Sequence, residues 1–151
     1  MSMLDQTDTN VLHASFTLER SYPASPARVF AAWADPALKR AWFVGEAGEH
    51  ELDFRVGGTE RNANELDGRA ITFVSRYEEI VDDKRIVFSS VLAVDGAAAT
   101  VSVSSIELAP DGDGCRLTLT QSSAYLDGRE KPEWREQGTG SQLDALGRVL
   151  T

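Results

Sequence analysis

The stretch His50–Tyr77, HELDFRVGGTERNANELDGRAITFVSRY, decides the fold, because the chain there takes up the period of a β-strand. His50, Leu52, Phe54 and Val56 alternate with Glu51, Asp53 and Arg55, the signature of a half-buried strand. Gly57-Gly58 punctuates it as a tight turn or bulge. Thr59–Leu66 follows as a strand that is polar on both parities. Asp67-Gly68 is a strong hairpin turn, and Ile71, Phe73, Ser75 and Tyr77 share one parity of the strand after it.

Downstream the pattern repeats. Asp82-Asp83 turns the chain into a strand carrying Ile86, Phe88, Ser90 and Leu92, and Asp95-Gly96 turns it again. Val101, Val103 and Ser105 alternate through the next strand, on to Leu108. The segment DGDG (Asp111–Gly114) makes a further hairpin, and Leu117 and Leu119 lead on through Ser123. Adjacent strands joined by Asp-Gly turns imply an antiparallel meander. Upstream, Ala14–Tyr22 alternates as a first strand that Pro23 ends. Ser25-Pro26 and Asp35-Pro36 each pair an N-cap with a proline at the first helical position. They predict short helices over about 26–34 and 36–42, with Val29, Phe30 and Trp33 inward on the first and Leu38 and Trp42 inward on the second. Pro132 opens a closing helix whose apolar face is Leu143, Leu146 and Leu150. The fold class is α+β, a curved antiparallel sheet covered by the long C-terminal helix.

The chain has 151 residues and 16.5 kDa, enough for one domain with a core that needs no staples. We divide it into an N-terminal tail, 1–13, and a single domain, 14–151. Its net charge of −9 argues against a nucleic-acid binder, which needs a basic footprint, and against docking on anionic lipid. No apolar run approaches a membrane span, and Met1–Asn10 lacks the basic and apolar regions of a secretory signal. Cys115 is the only cysteine, so no intramolecular disulfide can form, which suits a cytoplasmic protein. Cys115 reads as an inert strand residue.

The order strand–helix–helix–strands–helix resembles the helix-grip fold of the START-like (SRPBCC) superfamily. The residues narrow the likeness. PARVFAAWADPALKRAWF (Pro26–Phe43) is similar to that superfamily's opening helix pair. FRVGGTERNA (Phe54–Ala63) resembles the double-glycine turn of the branch named for the activator of heat-shock protein 90 ATPase. RIVFSS (Arg85–Ser90), RLTLTQ (Arg116–Gln121) and GTGSQLDALGRVL (Gly138–Leu150) also fit, so the likeness spans roughly residues 14–150. This chain departs from the pattern in three places. Glu60, Asn62 and Asn64 stand where the family often has aromatics, Gly138-Thr139 where it often has Gly-Trp, and Ser90 where it commonly has tryptophan. Each change replaces bulk with something smaller or more polar.

The resemblance implies a ligand cavity between sheet and C-terminal helix. Followed backward, the helix's apolar face reaches Gln142, Thr139, Gly138 and Arg135 or Glu136, a small and polar first half. Trp33, Trp42, Phe54, Phe73 and Tyr77 would form an aromatic end of the cavity, or alternatively plain core. Glu60, Asn62, Asn64 and Ser90 would form a polar end if the register turns them inward, since a one-residue slip puts them in solvent. His50 shares their neighbours' parity, or is a partly exposed strand-end residue. Trp134 reads as a lid or interface residue.

Enzyme templates mostly fail. There is no GxSxG, no GxGxxG, no closed zinc set, and no motif for a cofactor. Three functions stay open. The first is binding of a small hydrophobic or amphipathic molecule. The second is a polyketide cyclase- or hydrolase-like enzyme using Glu60, alone or joined by His50, with burial raising the carboxyl's pKa. The third is a chaperone ATPase co-factor, as the branch name suggests. Sheet edges and Trp134 also leave homodimerisation open.

Overall fold

A computed structural model describes residues 9–45 and 47–151. A first strand, β1 (Val11–Tyr22), leads into helices α1 (Pro26–Ala34) and α2 (Pro36–Phe43). The strands β2 (Glu49–Leu52), β3 (Thr59–Leu66), β4 (Arg69–Val81), β5 (Arg85–Val94), β6 (Ala97–Asp111) and β7 (Gly114–Leu126) follow, and α3 (Pro132–Val149) closes the chain. The strands form one antiparallel sheet in the order β1-β7-β6-β5-β4-β3-β2. This is the expected α+β helix-grip architecture, with α3 packed across the concave face of the sheet.

The local signals act as their chemistry requires. Ser25 Oγ accepts from the Arg28 N–H, and Asp35 Oδ1 accepts from the N–H groups of Ala37 and Leu38, so both short helices are side-chain capped. Asp67-Gly68 and Asp95-Gly96 both hold positive φ at each residue, the geometry of the tightest hairpin turns. The core is Val29, Ile86, Ile106, Leu117, Leu143 and Leu146, all essentially sealed from solvent. Tyr22 donates its hydroxyl to the Leu143 carbonyl at 2.8 Å and pins β1 to α3.

Four details differ from the sequence reading. β1 begins at Val11 rather than Ala14, because β7 runs on to Leu126 and offers Val11–His13 partners; residues 1–8 of the expected tail lie outside the described residues. β2 ends at Leu52 rather than Val56. Gly58 N–H closes a turn on the Arg55 carbonyl, where an added Cβ would stand 2.1 Å from the Asp53 carbonyl oxygen. On α2, Leu38 is exposed and Lys39 is buried.

In β6 the alternating valines lie on the outward parity. Ile106 and Leu108 enter the core, and a period of two then carries Thr100, Ser102 and Ser104 inward and Val101 and Val103 outward. Val101 pairs in register with Val91, and Val91 with Val74, so the convex face carries a row of exposed valines while the concave face carries hydroxyls.

Candidate functional site

The concave face is organised by register. Glu60 lies opposite Ser75, Ser75 opposite Ser90, Ser90 opposite Ser102, and Ser102 opposite Ser123, one polar row across five strands. Ser75 and Ser90 hydroxyls meet at 2.8 Å, and those of Ser102 and Ser123 at 2.7 Å. A row of small hydroxyls leaves volume above it and satisfies its own hydrogen bonds sideways.

At one end of the row stands an ionic cluster. Lys39 Nζ donates to Glu60 Oε1 at 2.9 Å, Tyr77 OH donates to the same oxygen at 2.9 Å, and His50 Nε2 meets Oε2 at 2.8 Å. α2 delivers Lys39, whose ammonium also lies 4.2 Å from the ring centre of Phe43, 4.8 Å from that of Trp33 and 5.5 Å from that of Trp42. Burial pushes the Glu60 carboxyl up, but the Lys39 charge and the hydrogen bonds from His50, Lys39 and Tyr77 outweigh it and hold the group below the usual range. Burial lowers the affinity of Lys39 for its proton, and Glu60 offsets part of that. Burial and the adjacent Glu60 charge push the Tyr77 hydroxyl well above its ordinary value.

A second ionic pair lies beyond the row's far side. Arg135 clasps Glu130 through Nε at 3.1 Å and Nη2 at 2.8 Å, while Nη1 donates to Gln121 at 3.0 Å and to Ser102 at 3.3 Å. Thr100 donates its hydroxyl to Glu130. The Arg135 guanidinium also sits 5.5 Å from the Phe73 ring centre.

Between these clusters lies a cavity of ≈ 260 Å³. Its aromatic wall is Trp33, Trp42, Phe43, Phe73 and Phe88. Its polar wall is Asn62, Asn64, Gln121, Thr139 and Gln142 together with the Arg135–Glu130 pair, with Gly138 leaving a gap in α3 where an added Cβ would meet nothing within 4 Å. Trp134 borders the cavity and is 56% exposed, which places the opening at the start of α3. Two buried atoms of residues on these walls, Trp33 Nε1 and Asn62 Oδ1, have no hydrogen-bond partner among the described residues. Trp42 Nε1, by contrast, donates to the Ala32 carbonyl at 3.0 Å.

Of the residues singled out in the sequence, Trp33, Trp42, Asn62, Asn64, Phe73, Thr139 and Gln142 border the cavity. Phe54, Glu60, Tyr77, Ser90 and His50 do not. Phe54 packs against Phe30 and Tyr77, with ring centres 5.6 and 4.9 Å apart. Ser90 lies in the polar row. Glu60 does face inward, but its carboxyl is lowered by Lys39 rather than raised, and it lies behind the aromatic wall instead of in the cavity. Sequence reasoning missed Lys39, Phe43, Phe88 and Glu130. The spacing of Lys39 three residues before Trp42 carried the signal for the first, since i and i+3 share a helix face.

The comparisons with known proteins place the fold and the family. The profile of the family described as "Activator of Hsp90 ATPase homolog 1-like protein" matches residues 23–151. The Mll3558 protein from Rhizobium loti is 43% identical with a TM-score of 0.88, over 93% of this chain and 99% of that one. An uncharacterised protein from Rhizobium leguminosarum is 34% identical with a TM-score of 0.91, over 95% and 98% of the two chains. CalU16 from Micromonospora echinospora shares the fold at 22% identity and a TM-score of 0.64, over 96% and 87%. No curated protein matches the chain. Among the described residues no helix is long and apolar enough to cross a membrane.

Proposed function

Given that the chain belongs to the activator of Hsp90 ATPase homolog 1-like family, we propose that it binds a small hydrophobic or amphipathic molecule between the sheet and α3, without chemistry. The observation that carries this reading is the ≈ 260 Å³ cavity, with rings on one wall and, on the other, polar side chains that include the paired Arg135 and Glu130. That is the composition of a small-molecule site. Trp33, Trp42, Phe73, Asn62, Asn64, Thr139 and Gln142 make the contacts. Glu60, Lys39, His50 and Tyr77 hold the aromatic wall from behind. Native mass spectrometry of gently purified protein tests the proposal through a reproducible added mass. A thermal-shift screen in which no apolar compound stabilises the protein counts against it.

The cyclase- or hydrolase-like alternative needs a carboxylate that reaches substrate. Glu60 has three partners and no cavity surface, so the geometry favours binding over catalysis. Unchanged turnover by Glu60→Gln on any active substrate removes Glu60 from a mechanism. The chaperone co-factor reading rests on the family's description alone, and a lysate pull-down that recovers no chaperone ends it. The lone buried thiol of Cys115 supports a cytoplasmic setting. Pairing of edge strands β1 or β2 into a homodimer is read directly by sedimentation.

A further inference from the structure

The outward face of the sheet, on the side away from α3, carries a patch without charge. The outward positions of β5 from Val87 to Ala93, of β6 from Val101 to Ser105 and of β7 from Thr118 to Ala124 are valine, alanine, serine or threonine throughout. At its centre Val74, Val91, Val101 and Val103 are 40%, 39%, 44% and 56% exposed. In a chain of which 26% is charged, an uncharged area across these strands is a departure from the rest of the surface. A contiguous apolar patch of this kind marks a contact surface.

Charges begin where the patch ends, and they pair with one another. Arg76 meets Glu78 at 2.6 Å, Arg85 meets Glu79 at 2.7 Å, and Arg61 meets Glu49 at 3.6 Å. A partner that docks by charge finds nothing to select here. A second copy does. With a net charge of −9 the molecule repels its like, least of all over a neutral face, and a two-fold contact needs a surface that matches itself. Val74, Val91 and Val101 lie opposite one another in register and form a ridge across the strands, with Ser89, Val103 and Ser122 as the next ridge. Two such faces pack with their rows interleaved. Four strands about 4.8 Å apart, over seven residues of about 3.4 Å each, cover roughly 450 Å². Two copies then bury about 900 Å², the size of a weak, reversible association rather than an obligate one.

We propose that the outward face of β4–β7 docks a second copy of this chain, giving a reversible two-fold dimer held by the valines. The cavity lies on the opposite face of the sheet and opens beside Trp134, so both copies keep their mouths free. Pairing at the edge strands would instead extend the hydrogen-bonded sheet and leave the valines in water.

Sedimentation of the full chain at neutral pH, from about 10 μM to about 1 mM, tests the proposal. The expected result is a concentration-dependent passage from monomer to dimer within that range, undiminished by added salt. Val103→Lys sets an ammonium in the middle of the face on each copy and should leave only monomer. Val103→Thr keeps the shape and the strand preference but removes apolar surface, and should weaken association about fivefold. Thermal melts close to that of the parent report that both variants fold. Where Val103→Lys does not fold, Val103→Thr decides. A parent chain that stays monomeric to about 1 mM overturns the proposal. Association that salt dissolves, or that both variants retain in full, belongs to another surface and overturns it as well.

Discussion

Lys39 Nζ and Glu60 Oε1 stand 2.9 Å apart, with 2% and 3% of the two side chains exposed, and join α2 to β3 beneath the aromatic wall. The pair fixes the rings that face the cavity, so its energetics and the shape of the site are one problem. Removing one member leaves the other charged and sealed from water, whereas removing both leaves a neutral gap.

Lys39→Met is therefore expected to cost about 3–5 kcal/mol of stability, and Glu60→Gln a similar amount. The double variant should cost clearly less than the sum of the two. Urea denaturation of all four proteins gives the coupling, and strict additivity would refute a direct interaction.

Acid should weaken the fold through Glu60. Its carboxyl is held below the ordinary value of 4.5 in the folded protein, so below that value the unfolded state binds the proton first. The pair's contribution is present above the unfolded value and is lost as pH falls through the folded one. Thermal melts between neutrality and acid should show a falling Tm that flattens in Glu60→Gln, after allowance for that variant's lower starting point. Parallel pH profiles of the two proteins would contradict this.

Glu130→Gln should give the cavity a new affinity for carboxylates. It leaves the Arg135 charge unmatched beside Phe73, so β-naphthoate affinity should rise by about tenfold or more. The measurement is calorimetric titration of both proteins with β-naphthoate, and an affinity equal to that of the parent protein would show that Arg135 does not face the ligand.

Gly138 separates stability from binding. Its Cβ would meet nothing, so Gly138→Ala should stabilise α3 by about 0.5–1 kcal/mol through backbone entropy. Gly138→Leu should project into the cavity and abolish binding while the protein stays folded. Retained affinity in Gly138→Leu would move the ligand away from α3.

The fold was legible because its signals are local and redundant. Ser25-Pro26, Asp35-Pro36 and the Asp-Gly pairs each commit a few residues to one geometry, and their order leaves few topologies open. The site was legible only in part. Asn62 and Asn64 could be placed on one parity but not on one face, since the direction of a polar strand is fixed by partners far away in sequence. β6 is the clearest case. Val101 and Val103 look like core, yet Ile106 and Leu108 further along the same strand set the parity and turn them outward. The Glu60 environment was misjudged because its counter-ion comes from α2, twenty-one residues earlier. Hydropathy assigns lysine to solvent, and only a buried carboxylate with converging rings makes the interior the better place for it.

All three tryptophans of the chain, Trp33, Trp42 and Trp134, border the cavity, and they differ in their surroundings. Two are sealed against a cation and one is open to water at the mouth. The protein's own ultraviolet emission is consequently a gauge of occupancy. Filling the cavity should alter it without any attached dye, and a blue shift should mark the moment when Trp134 is shielded from water.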